Sequence, residues 1–137
     1  MRSLHVLQRL AKQAVDRERQ ALQAIAGEIA DVEAAIETRQ KAIEHEASAP
    51  LDFMTSGATL DAFIQAGRVQ IQVLRKRLAE LQSSYDAQIE RVRQERVEQK
   101  RYELLIERRA EQAARETAAK EQKTIDELVT IKAGRKG

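Results

Sequence analysis

Between Leu60 and Ala113 the seam positions recur at alternating steps of four and three. Leu60, Ile64, Gly67, Ile71, Leu74, Leu78, Leu81 and Tyr85 fall on one seam, broken only at Gly67. Gln88, Val92, Glu95, Gln99, Tyr102, Ile106, Arg109 and Ala113 continue it with less hydrophobicity. An apolar period of about 3.5 residues, held over this many heptads, predicts a coiled-coil helix. Such a seam needs a partner, and the best candidate lies upstream in the same chain.

The first helix is expected over residues 2–47, with Ser3 placed to cap it. Its seam reads Leu4, Ala11, Val15, Leu22, Ile25, Ile29, Val32, Ile36 and Ile43, interrupted at Gln8, Glu18 and Arg39. Gly27 lies off the seam, where it costs about 1 kcal/mol relative to Ala. Pro50 lacks an amide proton and pushes Ala49 out of the helical region, so the helix ends by there. Ser56, Gly57 and Thr59 favour turns and caps. The predicted turn is 48–57, with Leu51, Phe53 and Met54 closing over the end of the pair. The second helix is expected over residues 58–132, followed by a frayed basic tail at 133–137. At ~1.5 Å per residue the helices would span ~70 and ~110 Å.

Folding the chain back at the turn sets Ile43 against Ile64, Ile36 against Ile71 and Val32 against Leu74. Ile29 then meets Leu78, Ile25 meets Leu81, Leu22 meets Tyr85 and Val15 meets Val92. The interruptions coincide too: Arg39 with Gly67, Glu18 with Gln88, Gln8 with Gln99. Polar layers that match in one register disfavour slipped ones. The fold class read from this is all-α: a long two-helix antiparallel coiled-coil hairpin, one domain over 1–137, with an extended C-terminal helix. Met1 falls opposite Ile106, so the helix beyond it, about 107–132, is an unpaired overhang. The overhang is rich in Ala and charge, with Glu111–Arg115 and Glu116–Lys120 at the favourable i,i+4 spacing. Its apolar residues return only at Ile125, Leu128, Val129 and Ile131, a cluster expected to bind something.

Composition supports a thin helical assembly. The 137 residues are 34% charged and 3% aromatic, with one Pro and no Trp, too few bulky groups for a globular core. Net charge is only +2 with the signs interspersed, which points away from a nucleic-acid partner. The absence of Cys excludes disulfides, thiolate zinc sites and thiol nucleophiles. No apolar run approaches the ~20 residues of a membrane span, and Met1 to Arg9 does not read as a secretory signal. His5 and His45 stand at opposite ends of the first helix and read as surface residues rather than metal ligands. No Gly-rich phosphate loop is present, and the carboxylates lack an apolar pocket suited to acid–base chemistry. The expectation is therefore no enzyme, no cofactor and no metal. Arg75-Lys76-Arg77 reads as a solvated helix face rather than a site for lipid or nucleic acid. Phe53 and Phe63 suit either a docking patch or a cap on the coiled-coil end. Tyr85 and Tyr102 sit on the seam, with their hydroxyls reaching its edge.

The C-terminal third reads Lys100-Arg101-Tyr102-Glu103-Leu104-Leu105-Ile106-Glu107-Arg108-Arg109, then Glu116, then Glu121-Gln122-Lys123-Thr124-Ile125-Asp126-Glu127-Leu128. This resembles the FliJ family of the bacterial flagellar type III export apparatus. There a Lys/Arg-Glu-Leu stretch precedes a Glu-rich run ending in apolar-Asp-Glu-apolar, here Ile125-Asp126-Glu127-Leu128. Length, the two-helix pattern and Phe63-Ile64 after the turn agree. The hairpin tip departs, with Phe53 and Phe63 as its only aromatics. The resemblance implies a stalk similar to the two-helix shaft of the rotary ATP synthase γ subunit. It implies as partners a hexameric export ATPase (FliI-like), the cytoplasmic domain of the export gate (FlhA-like) and export chaperones. On this chain the ATPase-facing residues would be Arg108, Arg109, Arg115, Glu121, Ile125, Asp126, Glu127, Leu128 and Val129. The gate-facing residues would be Phe53, Phe63 and Gln70. The location implied is the cytoplasm, peripheral to the inner membrane. A virulence-type secretion stalk and a generic structural coiled-coil adaptor are the other readings.

Overall fold

The structure, a computed structural model, describes residues 2–48 and 57–135, and all of them are helical. Helix α1 is Arg2–Ser48 and α2 is Gly57–Arg135, 47 and 79 residues long. The fold is all-α, two long helices packed against each other. The expected turn residues Pro50, Leu51, Phe53, Met54 and Ser56, together with Met1, Lys136 and Gly137, lie outside the described residues. Ser3 falls within the first helical turn, so it does not cap α1. At the other end α2 continues through Gly134 to Arg135, taking in residues expected in a frayed tail.

Packing divides the chain into two units. One holds 1–15 and 94–137, the other 16–93, and both helices run through the division without a break.

In the unit 16–93 the ladder of side chains across the pair is antiparallel. Arg39 donates to Gln70, Arg77 Nη2 lies 3.4 Å from Glu28 Oε2, and Gln88 Nε2 donates to the Glu18 carbonyl at 2.9 Å. The core is the predicted seam. Ile36, Ile71, Leu81 and Val92 are buried, and Leu22, Ile25, Ile29, Val32, Leu74, Leu78 and Tyr85 are half-buried. Gln88 is 5% exposed in this apolar row, and its amide donates to both the carbonyl and the carboxylate of Glu18. The expected Glu18–Gln88 layer is therefore present. A buried amide stripped of its acceptor costs about 1–3 kcal/mol, so each slip of register is opposed here.

Near the turn the layers differ from the expected ones. A Cβ built on Gly67 would lie 2.8 Å from Ile43 Cδ1 and 3.0 Å from its Cγ1. Ile43, not Arg39, takes the room that Gly67 leaves. Arg39 is exposed and reaches Gln70, while its neighbour Gln40 is half-buried. Gly67 thus permits close approach of the two helices, whereas nothing lies within 4 Å of a Cβ on Gly27. Gly27→Ala is expected to raise stability by up to about 1 kcal/mol. Gly67→Ala must displace Ile43 and is expected to gain clearly less. Urea unfolding of both variants checks this, and equal gains would contradict the packing at Gly67.

In the unit of 1–15 and 94–137, Leu4, Ala11 and Val15 are buried on α1. Gln99, Tyr102 and Ile106 are half-buried on α2, as is Gln8. From Glu107 to Arg135 every residue is exposed. The pairs Glu111–Arg115 and Glu116–Lys120 do not close. Instead Gln112 donates to Glu116 at 3.5 Å and Gln122 to Asp126 at 3.1 Å. Thr117, Thr124 and Thr130 donate to the carbonyls four residues earlier, each at 2.9 Å. Side-chain polarity is satisfied locally, in keeping with a helix that has no packing partner of its own along this stretch.

Candidate functional site

The surfaces available to partners follow from where the seam leaves residues uncovered. Two sets were expected from sequence, one on each unit.

The first set lies on the last part of α2. Arg108, Arg109, Arg115, Glu121, Ile125, Asp126, Glu127, Leu128 and Val129 are all exposed. Ile125 and Leu128 stand 53% and 60% exposed, which is far from core behaviour. Glu121, Ile125, Leu128 and Val129 share one face by their spacing of four, three and one. A shallow hollow lined by Thr117, Lys120, Glu121, Thr124 and Ile125 continues that face toward the helix start. Arg108 and Arg115 sit seven residues apart, on a common face of their own. The helix therefore carries a small apolar patch, a shallow hollow beside it and separate charged stripes.

The second set is at the turn-proximal part of the unit 16–93. A groove of about 520 Å³ runs between the helices, lined by Ala35, Thr38, Arg39, Ala42 and Ile43 from α1 and by Phe63, Ala66, Gly67 and Gln70 from α2. Its cause is residue size: Ala35, Ala42, Ala66 and Gly67 leave the pair thin at this level. Phe63 stands 46% exposed as one wall, and the Arg39–Gln70 hydrogen bond edges the other side. The structure thus brings Phe63 and Gln70 to one groove, while Phe53 lies outside the described residues. Ile43 and Gly67 stood on the predicted seams, but Ala35, Ala42 and Ala66 were not singled out from sequence. Ala35, Ala42 and the Ala66-Gly67 pair falling at one level of the hairpin is the signal that was there to find.

The basic run Arg75-Lys76-Arg77 is partly neutralised. Arg77 lies 3.4 Å from Glu28 and 3.8 Å from Glu80, so it acts as a solvated bridge between helices. Among the described residues no group of three or more His, Asp or Glu side chains is placed to hold a metal ion. No helix of the described residues is long and apolar enough to cross a membrane.

The architecture defines the class: an all-α coiled-coil hairpin protein whose second helix outlasts its buried seam. Residues 1–137, the whole chain, match the family model described as Flagellar FliJ protein, and the chain belongs to the FliJ family. Membership implies a part in a flagellar-type protein export apparatus, as a structural and chaperone-like component rather than a known enzyme. No curated protein and no solved structure matches it.

Proposed function

We propose that this chain is the non-catalytic central stalk of a flagellar type III export ATPase complex. In this reading the overhang of α2 enters the hexameric ATPase ring, promotes hexamer assembly and raises the hydrolysis rate. The observation that carries it is the unbroken exposure from Glu107 to Arg135. A helix kept slim by Ala110, Ala113, Ala114, Ala118 and Ala119 suits a narrow pore. Its contacts, Arg108, Arg109, Arg115, Glu121, Ile125, Asp126, Glu127, Leu128 and Val129, are adaptable charges around a small apolar patch. One rod cannot match six subunits at once, so individually weak contacts fit this task. The groove at Phe63 and Gln70, with Phe53 nearby in sequence, takes the cytoplasmic domain of the export gate. The complex works at the cytoplasmic face of the inner membrane and serves flagellar assembly and motility, with export chaperones as further cargo-side partners. The flagellar description of the matched family favours this machine over a virulence-type one.

The test is reconstitution. Adding the chain to its cognate export ATPase is expected to increase the hexamer population and the hydrolysis rate. An unchanged ATPase would refute the stalk. Separately, Phe63→Ala removes the exposed wall of the groove and is expected to cut gate-domain binding at least about tenfold, as for a buried aromatic anchor. Its half-exposed position means the hairpin melts as before, and a pull-down at parental strength would move the gate site elsewhere.

A further inference from the structure

The first turns of α1 combine basic charge with exposed aliphatic side chains. Residues 2–15 contain Arg2, Arg9 and Lys12 and neither Asp nor Glu. All three cations are exposed, and among the described residues none forms an ion pair. Beside them Val6, Leu7 and Leu10 are 40%, 40% and 53% exposed. The buried seam of this stretch is Leu4, Ala11 and Val15, and the three exposed apolar residues stand outside it. The unit containing them has fourteen basic against nine acidic residues, while the unit 16–93 has ten against thirteen. Basic charge and bare aliphatic side chains are thus concentrated together.

We propose that the exposed face of α1 at Val6, Leu7, Arg9, Leu10 and Lys12 docks on an anionic lipid surface. Aliphatic side chains enter the headgroup boundary, and Arg and Lys meet the lipid phosphates, which is how amphipathic helices lie on a bilayer without spanning it. Nucleic acid would use the same charges but has no need of three aliphatic residues. It also favours aromatic stacking, and α1 has no Phe, Tyr or Trp. Arg75-Lys76-Arg77, the other basic run, is less suited, because Arg77 already faces Glu28 and Glu80.

Flotation with vesicles tests this on the full chain without any ATPase or gate domain, so its outcome is independent of the stalk reading. The chain is expected to float with phosphatidylcholine vesicles containing phosphatidylglycerol and not with phosphatidylcholine alone, and added salt weakens the binding. Arg9→Gln and Lys12→Gln are each expected to weaken it about fivefold. Leu7→Ser with Leu10→Ser is expected to weaken it about tenfold. All four sites are exposed, so circular dichroism stays parental. With no native Cys, a spin label on Val6→Cys reads the contact directly, through loss of access to a water-soluble quencher on anionic vesicles. Absence of flotation overturns the proposal. So does parental binding by the charge variant, or binding to vesicles or polyuridylate that the leucine variant leaves unchanged, which would mark a plain polyanion contact.

Discussion

Removing residues 107–137 is expected to abolish stimulation of the export ATPase while leaving the hairpin folded. The two halves of this expectation rest on different facts. Every described residue in the deleted segment is exposed, and the last seam residue, Ile106, is retained. No buried contact is lost, so the cooperative melt should move by no more than the ±0.5 kcal/mol typical of surface changes. The deletion does remove the whole proposed ATPase-facing set, from Arg108 to Val129, at once. A graded result would be expected from single changes there, because in the proposed stalk each contact is weak and the ring offers six near-equivalent partners. ATPase assays and gate pull-downs on truncated and intact chains decide it. Full stimulation by the truncated chain would mean that another surface enters the ring. Gate binding should persist, since the Phe63 groove lies in the unit 16–93.

Leu81→Asp is expected to cost at least about 3 kcal/mol, which would unfold much of the population of a marginal coiled coil. Leu81 is only 4% exposed, the lowest among the core residues described. A carboxylate there loses its hydration without gaining a cation, since its neighbours on the seam are Leu78 and Tyr85. The matched comparison is Leu128→Asp, at a site 60% exposed. That variant should melt within about 0.5 kcal/mol of the parent yet weaken the ATPase contact. Urea unfolding followed by circular dichroism separates the two. Similar losses in both variants would show that the buried seam has been placed wrongly.

Most of the fold was legible from apolar spacing because the seam is long and its steps are regular. Every position from Leu60 to Ile106 that the four-three rhythm selects is buried or half-buried. The rhythm misleads at Arg109 and Ala113, which are exposed: it still runs there, but nothing lies opposite. It also misleads at Arg39. A step of three or of four from Ile36 reaches Arg39 or Gln40, both polar, so hydrophobicity does not choose between them. Packing chooses, through Ile43 resting on Gly67 and leaving Arg39 free to reach Gln70. The groove beside Phe63 was half legible. An aromatic after the turn is a visible signal, whereas the alanines across it acquire meaning only once the helices are aligned. Val6, Leu7 and Leu10 were hidden differently. Spacing sets them off the predicted seam of Leu4, Ala11 and Val15 but does not say whether an off-seam aliphatic is covered, and burial shows these exposed.

The overhang also makes α2 two helices in the thermodynamic sense. Up to Ile106 its backbone is locked by a seam whose loss requires the partner helix to leave. Beyond it each turn is held by bonds reaching only four residues, the regime of helix–coil statistics, in which ends open and close within about a microsecond. Amide protons there should exchange with solvent through local fraying rather than through the global transition that governs Ile71 or Leu81. A ligand gripping that segment therefore contributes order as well as contacts. Its affinity has an entropic cost set by sequence: strengthening the alanine-rich helix would tighten binding without touching the interface.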